Sequence, residues 1–427
     1  MPIKIDNMNK KGQSLSNAID TVNLPRHRWY YYKEGFSPYL VKKAIKKLHL
    51  TKQDLVIDPF NGSGTVTLTC ALEGLPSVGI EVNPFTAFIA KTKTYDVDVK
   101  VLSQCAQQLL QAIEQDQTTV SRWMGISTFT ENDHLEKWLF NSDVANAYES
   151  GFVYLDEIEN REVKDILKLA LISSLMACAN ARRDGKCFKY RKNWKEDGLN
   201  KQSFLKTLTD KLQLCIEDAA TEIKESPKII SADSRTYLEN NHNDKFSLCI
   251  TSPPYLNTFD YTDIYRPELF MGGFIQNNEE LSRLRLNTVR SHVQVAWPNP
   301  VENNFGNHYT RIMNHILNHP DQLMCKRIPL MIQAYFEDMK HVLESLFIHG
   351  RMDAQVWIVV STSAYAGIEV PVDRIIGDIG KTIGFELKRI SKLRNIRKRK
   401  TKYSGNIDFL RESLVILSKP TITKSHS

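Results

Sequence analysis

The chain has 427 residues, of which 42% are hydrophobic and 25% are charged, so it is long enough to bury a substantial core in about two domains. Its formal net charge of +7 is compatible with a polyanionic partner but does not identify one. No apolar run approaches the roughly 18 residues of a membrane span, the polar leader 1–24 has no signal-peptide core, and the seven cysteines form no CxxC pair. We therefore expect a cytoplasmic protein without a membrane segment, a disulfide framework or a metal centre.

The first elements along the chain have the order of a doubly wound α/β sheet. A short apolar strand at 54–57 runs into a glycine turn and a helical stretch, DPFNGSGTVTLTCALEG. A second apolar strand follows in SVGIEVNP and ends at Glu81. Strand, glycine turn, helix, strand and acidic residue is the opening of a nucleotide-binding sheet.

The rest of the chain divides into an insertion, further strands and a polar stretch. Helical spacing dominates 101–227, strand patterns return in PKIISADS and FSLCITSPPY, and 266–325 is polar and rich in loop signals. A helix in YFEDMKHVLESLF precedes strands in QVWIVVSTS, GFELKRIS and ESLVILSK. We predict a discontinuous catalytic domain of 25–100, 228–265 and 326–427, a helical insertion at 101–227, and a loop-rich insertion at 266–325 that is a candidate for target recognition.

The glycine turn has the chemistry of a nucleoside-binding loop. Its two glycines allow a sharp turn and close approach to a ligand, and the helix that follows presents free N–H groups. A carboxylate at the end of the next strand can accept hydrogen bonds from both ribose hydroxyls of an adenosine. The turn lacks GxGxxG and GK[ST], so neither a dinucleotide nor a Walker site is indicated. The predicted cofactor residues here are Asp58, Pro59, Phe60, Asn61, Gly62, Gly64, Thr65 and Glu81.

A second motif, Thr251-Ser252-Pro253-Pro254-Tyr255, follows the apolar strand FSLCI. Two consecutive prolines fix the backbone and remove two N–H donors, so the local surface presents acceptors. The Ser252 hydroxyl and the Pro253 carbonyl can each accept a hydrogen bond from an amino group, and Tyr255 offers a face for stacking a base. Ser252, Pro253, Pro254 and Tyr255 are therefore the predicted catalytic residues.

Together, DPFNGSGT and the later TSPPY resemble the motifs of the DNA amino-methyltransferases, which form N4-methylcytosine or N6-methyladenine. The resemblance implies a seven-stranded methyltransferase sheet of Rossmann-like topology, S-adenosylmethionine as the methyl donor, and double-stranded DNA as the substrate. The serine in SPPY is typical of the N4-cytosine enzymes. The cofactor motif precedes the catalytic motif here, the reverse of the commonest order in SPPY enzymes, so the chain looks circularly rearranged relative to them.

The same resemblance extends to residues outside the two motifs. The segment HRWYYYKEGFSP is similar to the family segment that packs against the methionine end of the cofactor, which adds Phe36 and Ser37 to the predicted cofactor site. Asp233 stands where the family often has an acidic residue near the adenine. Beyond the catalytic loop, Asn257, Asp260 and Tyr261 are candidates for the base pocket, and loop capping is the alternative role for Asp260.

The chemistry implied by the resemblance is direct transfer of a methyl group to an amino nitrogen held by Ser252 and Pro253. No covalent intermediate is needed, and the chain contains no Pro-Cys dipeptide, which disfavours a C5-cytosine enzyme with its cysteine nucleophile. The alternatives that remain open are N6-adenine methylation, RNA guanine-N2 methylation, and a DNA-binding module that has lost activity.

Two basic stretches are candidates for contact with nucleic acid. Lys388–Lys402 holds nine basic residues and no acidic one, and we place it in the turn between the last two predicted strands. A second patch lies in NARRDGKCFKYR, where aromatic residues are interleaved. The predicted contacts are Arg394, Arg397, Lys398, Arg399, Lys400, Arg182 and Arg183.

Two further expectations concern metals and partners. His308, His315 and His319 lack the carboxylate or cysteine spacing that would complete a metal site, so we interpret them as ordinary surface or core histidines. A restriction–modification or defence system is the expected setting, with a cognate restriction endonuclease as a possible partner.

Overall fold

The computed structural model describes residues 6–7, 15–116, 128–131, 134–185, 187–240, 245–398, 403 and 405–421. Its β-strands, in chain order, are β1 (Asp6–Asn7), β2 (Val56–Asp58), β3 (Ser77–Glu81), β4 (Ala181–Asp184), β5 (Cys187–Tyr190), β6 (Lys228–Ser231), β7 (Phe246–Thr251), β8 (Gly350–Ser361), β9 (Ser363–Tyr365), β10 (Ile368–Val370), β11 (Glu386–Arg397) and β12 (Phe409–Ser418).

Its α-helices, in the same order, are α1 (Pro38–Leu48), α2 (Thr65–Glu73), α3 (Pro84–Thr92), α4 (Val99–Gln115), α5 (Ser142–Tyr154), α6 (Arg161–Ala177), α7 (Lys201–Ala219), α8 (Ser234–Asn240), α9 (Tyr261–Ile264), α10 (Arg266–Met271), α11 (Asn278–Leu286), α12 (Asn307–Asn318), α13 (Ile328–His349) and α14 (Val372–Ile383). None of the described helices is both long and apolar enough to cross a membrane.

The main sheet has the strand order β1-β11-β12-β8-β7-β2-β3-β6. Strands β6, β3, β2, β7 and β8 pair with one another in parallel, whereas β12 is antiparallel to both β8 and β11. The predicted doubly wound seven-stranded α/β sheet is confirmed. The two-residue β1, from the expected polar leader, adds a short parallel pairing at the β11 edge.

Side-chain alternation along the central strands gives the sheet two apolar faces. In β8, Val356, Ile358 and Val360 face the core formed with α13 and α14, and Trp357 and Val359 face the core formed with α1 and α2. This period of two is what a strand covered on both sides requires, because successive side chains point to opposite faces.

The helical middle of the chain forms a third core that reaches beyond the predicted 101–227 boundaries. Helices α4 to α7 pack on one another, and the same core takes in Trp29 and Tyr30 from the N-terminal segment and Leu269 and Phe270 from α10. The middle also contains the antiparallel hairpin β4–β5, which the weak strand signal in that region did not indicate.

The stretch 266–325 differs from the expected loop-rich insertion, because it contains α10, α11 and α12 and divides between two cores. Leu281 and Leu284 of α11 pack on the helical core, whereas Tyr309, Ile312 and Ile316 of α12 pack against α13 and α14. The spacing of these residues was a readable helix signal that the surrounding proline, asparagine and histidine residues obscured.

The basic run 388–402 was predicted to lie in a turn, and that placement is wrong for its first ten residues. They belong to β11, which continues to Arg397 in antiparallel register with β12, so that Arg394 lies opposite Glu412 and Arg397 opposite Phe409. The strand extends further than its apolar pattern because pairing with β12 satisfies its backbone groups whatever the side chains are.

The fold predicts a large penalty for Gly64→Ala. Gly64 has a φ of 83°, and a Cβ there would lie 2.8 Å from the Cβ of Ala90 in α3. Backbone strain and the clash together should lower the free energy of unfolding by about 3 kcal/mol in urea denaturation. The control is Gly198→Ala, with a φ of 57° but no neighbour closer than 3.8 Å, which should cost only about 1 kcal/mol. Equal losses in the two variants would contradict the packing argument.

Candidate active site

The site lies where the strand order of the sheet reverses, at the carboxyl ends of β2 and β7. In open α/β sheets, ligands bind in the crevice outside the strand ends at such a switch point. Strand β2 ends at Asp58 and β7 ends at Thr251, and the Thr251 hydroxyl donates a hydrogen bond of 2.6 Å to Oδ1 of Asp58. The predicted cofactor turn and the predicted catalytic loop therefore leave the sheet side by side.

The glycine turn is held against Glu81 by its backbone. The N–H of Gly62 donates to Oε2 of Glu81 at 2.7 Å, and the N–H of Asn83 donates to Oε1 at 2.9 Å. Gly62 has a φ of 50°, and a Cβ there would lie 3.4 Å from the ring of Tyr32. Burial raises the pKa of Glu81, and the hydrogen bonds from the backbone of Asn83 and Gly62 oppose that rise.

Asp58 is a buried carboxylate whose pKa lies well above its ordinary value. Burial is the main cause that raises its pKa to about 7, nearby Glu81 adds to the effect, and the hydrogen bonds from Thr251 and Phe60 oppose it. Both of these hydrogen bonds go to Oδ1. In the next turn position, Asn61 keeps a buried side-chain nitrogen that makes no hydrogen bond within the described residues.

A single cleft of about 380 Å³ brings most of the predicted site residues together. The predicted residues that line it are Phe36, Asp58, Pro59, Phe60, Asn61, Gly62, Thr65, Glu81, Asp233, Ser252, Pro253, Pro254, Tyr255, Asn257, Tyr261 and Arg394. The described ones that do not line it are Ser37, Gly64, Asp260, Arg182, Arg183, Arg397 and Lys398. Arg399 and Lys400 lie outside the described residues.

Ser37 and Gly64, two predicted site residues that do not line the cleft, have structural roles instead. Ser37 caps α1 by accepting a hydrogen bond from the N–H of Tyr39, and it donates its own hydroxyl proton to Asp20. Gly64 caps α2 in the left-handed conformation that the turn requires. Both residues therefore shape the cofactor loop rather than line it.

Asp260 was expected in the base pocket, but its carboxylate is already occupied. Oδ1 accepts hydrogen bonds from the N–H and the hydroxyl of Thr262 at the start of α9, and Oδ2 pairs with Nε of Arg285 at 2.7 Å. The alternative role of loop capping describes this residue. Its neighbour Tyr261 does line the cleft, as does Asn257, whose side-chain oxygen accepts from the N–H of Phe259.

In the catalytic loop, Ser252 and Tyr255 are each fixed by a defined partner. The Ser252 hydroxyl donates to the carbonyl oxygen of Val359 in β8 at 3.1 Å. The Tyr255 hydroxyl donates to Oε1 of Glu412 at 2.7 Å, and Nε of Arg394 donates to Oε2 of the same carboxylate at 2.6 Å. Sequence reasoning missed Glu412, because no local motif marks it and only the pairing of β8, β12 and β11 brings it to the loop.

The N-terminal segment contributes an acidic group that sequence reasoning also missed. Glu34 lines the cleft, its carboxylate accepts a hydrogen bond from the Tyr265 hydroxyl, and burial raises its pKa. The ring of Tyr265 stacks on that of Tyr32 at 5.1 Å. The segment YYYKEG places Tyr32 close to Glu34 in the sequence. The polar ends of its tyrosines were the signal from which this part of the site could have been predicted.

Part of the predicted target-recognition stretch forms a wall of the same cleft. Thr288, Val289, Ser291 and His292 line it, and Arg290 between them is anchored in the interior. Its guanidinium donates to Asp338 at 2.7 Å and to Glu337 at 2.6 Å in α13.

The cleft wall is tied to Asp233 through the same acidic residue of α13. Arg235 pairs with Asp233 at 2.6 Å and with Asp338 at 3.0 Å. Asp338 thus joins the segment 287–292 to the residue expected near the adenine, so 266–325 is not a detachable recognition module.

The predicted nucleic-acid contacts fall into two groups. Arg183 points into the protein, where it pairs with buried Glu268 and lies 4.4 Å from the ring centre of Tyr265. Its guanidinium is therefore committed to an internal partner, which differs from the expected phosphate contact. Arg182 and Arg397 are exposed, and Lys398 is half-buried, so contact of these residues with nucleic acid stays a prediction.

Within the described residues no group of three or more histidine, cysteine or acidic side chains is placed to hold a metal. His308 pairs with Asp378 at 2.7 Å, His315 meets the carbonyl of Ala366, and His319 meets the carbonyl of His315. These contacts account for each of the three histidines by ordinary hydrogen bonding.

Fold and site together define an enzyme that binds a nucleoside cofactor beside an acceptor-lined loop. Residues 4–92 match the family model described as DNA methylase. The chain is 27% identical to the Type II methyltransferase M.BsoBI of Geobacillus stearothermophilus over 92% of this chain and 86% of that protein. It is 25% identical to M.AvaI of Anabaena variabilis over 88% and 83%, and 37% identical to M.MjaII of Methanocaldococcus jannaschii over 20% and 16%.

These matches support a DNA amino-methyltransferase family for this chain, and such a family implies S-adenosylmethionine as the methyl donor. The residues present suit that cofactor, because the carboxylates of Asp58, Glu81 and Glu34 line a cleft that would receive its cationic sulfonium and ammonium groups. The buried, unpaired nitrogen of Asn61 adds a donor in the same turn. We expect Glu81 to hold the ribose hydroxyls and Gly62 to allow the close approach.

Asp58→Asn should stabilise the ligand-free protein above neutral pH. Asparagine keeps an oxygen for the bonds from Thr251 and Phe60 and removes the buried charge. Because the pKa of Asp58 is raised in the folded state to about 7, the wild type loses stability as pH rises from about 4 to 7. The advantage of the variant should therefore be absent near pH 4 and reach up to roughly 4 kcal/mol at pH 8, measured by thermal unfolding.

The matched control is Asp54→Asn, at the start of the same strand region. Hydrogen bonds from Thr51 and Ser247 and the nearby Arg351 lower the pKa of Asp54, although burial opposes them. That carboxylate stabilises the fold above its unfolded pKa, so its variant should lose stability at pH 8.

Asp58→Asn should also weaken S-adenosylmethionine binding in calorimetry. A wild-type-like pH profile for Asp58→Asn would contradict the assignment of the titration.

Proposed function

We propose that the protein is a Type II restriction–modification methyltransferase that transfers a methyl group to the exocyclic N4 of cytosine in duplex DNA. Relatives named as Type II methyltransferases align with it over most of both chains, including the stretches outside the two motifs. Similarity of that extent supports the same type of substrate as well as the same catalytic domain. A cognate restriction endonuclease is the partner that such a role implies.

The observation that carries the amine target is the hydrogen bond from Ser252 to Val359. A hydroxyl has one proton to donate and two lone pairs with which to accept. With its proton donated to the Val359 carbonyl, the Ser252 hydroxyl has lone pairs with which to accept a hydrogen bond from a substrate in the cleft. Pro253 and Pro254 have no N–H, so the Pro253 carbonyl is the second acceptor, and an exocyclic NH2 has two protons to match them.

Two acceptors on one amino group also favour the reaction. The nitrogen lone pair of an exocyclic amine is delocalised into the ring, which makes the amine a poor nucleophile. Hydrogen bonds from both protons to Ser252 and Pro253 hold the amino group in one orientation and favour a pyramidal nitrogen. S-adenosylmethionine supplies the electrophilic methyl group. The chain's own contribution is orientation and exclusion of water, and no protein nucleophile is required.

Aromatic residues of the cleft suit a base that has left the helix. Tyr255 and Tyr261 line the cleft, and Phe259 lies edge-on to Tyr261 at 4.6 Å between ring centres. Stacking between aromatic rings stabilises an extruded base, whereas the active atom of a paired base is out of reach inside a duplex. This arrangement supports base flipping during catalysis.

The choice of cytosine N4 rests on Ser252, since the SPPY form of the loop resembles the N4-cytosine enzymes. The exposed Arg397 and the basic run of β11 support a duplex phosphate backbone as partner. Nucleoside mass spectrometry tests the proposal directly. Duplex plasmid from a methylation-free host and bulk tRNA are each incubated with the protein and labelled S-adenosylmethionine, then digested.

The expected product is N4-methylcytosine from the plasmid and no labelled nucleoside from the tRNA. N6-methyladenine in the plasmid digest would overturn the N4 assignment and leave DNA amino-methylation standing. N2-methylguanosine in the tRNA digest would overturn the DNA assignment. Absence of any methylated nucleoside despite cofactor binding would favour a DNA-binding module without activity.

Ser252→Ala should lower kcat by roughly 10-fold to 100-fold, because it removes one of the two acceptors for the amino group. The affinity for S-adenosylmethionine should stay within about twofold of wild type, measured by calorimetry, since Ser252 accepts from the base. The control is Ser174→Ala, which removes a buried hydroxyl that donates to the Ala170 carbonyl in α6. Unchanged kcat for Ser252→Ala would exclude the role proposed for this hydroxyl.

A further inference from the structure

We propose that Glu412 is a positioning residue for the methyl transfer, holding the Tyr255 ring in the orientation that receives the extruded base. This inference rests on the proposed function, because it assigns a role within the same site. Glu412 belongs to β12, lines the cleft and is 1% exposed. Nothing in the local sequence connects it with the catalytic loop, which lies 157 residues earlier.

The two oxygens of the Glu412 carboxylate have different partners. Oε1 accepts the proton of the Tyr255 hydroxyl at 2.7 Å, and Oε2 accepts from Nε of Arg394 at 2.6 Å. The three side chains therefore form a chain of hydrogen bonds that runs from Arg394 in β11 through the Glu412 carboxylate to Tyr255 in the catalytic loop. Removing the carboxylate charge affects both neighbours at once.

The register of the sheet strands holds this chain of hydrogen bonds in place. Glu412 lies directly opposite Arg394 in β11 and opposite Ser361 in β8. Strand β8 pairs in turn with β7, whose last residue Thr251 precedes the catalytic loop. Three adjacent strands thus fix the distance between Glu412 and Tyr255, so the hydrogen bond transmits the geometry of the sheet to the ring.

A buried carboxylate needs compensation, and Arg394 provides it. An unpaired charge at this depth would be expensive to desolvate, whereas an ion pair with a hydrogen-bonded guanidinium offsets much of that cost. Burial and Glu412 raise the pKa of Tyr255 well above its ordinary value, so the phenol keeps its proton and donates it at working pH.

The hydrogen bond between Tyr255 and Glu412 matters because the Tyr255 ring is the surface on which the base would stack. A tyrosine ring held only by packing can turn about its side-chain bonds, and ordering it costs free energy in each catalytic cycle. A ring already fixed at its hydroxyl presents its face without that cost. Ser252 and Pro253 are fixed by the backbone and by Val359, and the Glu412 bond gives Tyr255 the same degree of order.

The test is a double-mutant cycle between Glu412→Gln and Tyr255→Phe. Glutamine keeps the size of the side chain, but it has no charge and only one acceptor oxygen, so it cannot reproduce both carboxylate contacts, with the Tyr255 hydroxyl on one oxygen and Arg394 on the other. Phenylalanine keeps the stacking face and removes the hydroxyl. Each single variant should lower kcat about 10-fold, and the double variant should be no slower than the slower single variant, because all three remove the same interaction.

Several measurements separate positioning from a structural role. We expect the affinity of Glu412→Gln for S-adenosylmethionine to match that of wild type by calorimetry, and its thermal midpoint to fall, because Arg394 loses its ion-pair partner. The control is Glu386→Gln, which removes an exposed ion pair with Lys388 in β11, away from the cleft, and should keep the wild-type kcat. The rate is counted as total methyl groups transferred from labelled cofactor to plasmid DNA, so it does not depend on which base is the product.

Three results would overturn the proposal. One is a double variant whose loss is the product of the two single losses, which would mean that Glu412 acts on the substrate independently of Tyr255. Another is a Glu412→Gln enzyme with wild-type kcat. The third is loss of cofactor binding in that variant. Failure of the proposed function is distinguishable, because it would appear in wild type as a different methylated nucleoside or as label in tRNA instead of plasmid, and the cycle is then measured on the nucleic acid that wild type labels.

Discussion

The parallel pairing of β2 with β7 is the constraint on which the rest of this structure depends. Their carboxyl ends are linked by the hydrogen bond from Thr251 to Asp58, which joins two residues 193 positions apart at 2.6 Å. The cofactor turn and the catalytic loop begin at these two adjacent strand ends. The next strand in the sheet beyond β2 is β3, and the next strand beyond β7, on the other side, is β8. A cofactor and a base can meet only if both loops begin at one point, and the switch point of an open sheet is the place where they do.

Buried carboxylates are the second theme of the site, and each is stabilised in a different way. Backbone N–H groups of Gly62 and Asn83 hold Glu81, the Thr251 hydroxyl meets Asp58, and Arg394 compensates Glu412. Burial raises the pKa of Asp58 and of Glu81, so the cleft disfavours negative charge on these two carboxyl groups. A cationic cofactor relieves that cost, because an opposite charge favours the ionised form of an acid. The site therefore gains selectivity for a positively charged ligand from the same burial that destabilises it when free.

The segments inserted between the sheet strands are structural parts of the enzyme as well as candidates for reading DNA. The helical middle shares its core with Trp29 and with α10, and the segment around Arg290 is anchored to Asp338 while its neighbours form the cleft wall. Arg183 of the β4–β5 hairpin reaches the internal Glu268. These inserted segments are thus joined by packed side chains and ion pairs to the residues that line the cleft.

Much of the site could be predicted from the sequence because its chemistry is local. The turn DPFNGSGT, the loop TSPPY and the strands around them are contiguous patterns, so the α/β fold class and most cleft residues followed from short-range rules, and the cofactor followed from the family resemblance that the two motifs carry. Residue roles set by neighbours in space could not be read in this way. Asp260 and Arg183 looked available, but tertiary partners 25 and 85 residues away in sequence occupy them. Glu412 looked like one polar residue of a strand, and only the register of β12 between β8 and β11 brings it to Tyr255. The sequence by itself determined which chemical groups the protein has and the local backbone that carries them. The tertiary structure decided which of those groups are left free for a ligand, because hydrogen-bonding capacity is consumed by whichever partner the packed chain brings within reach.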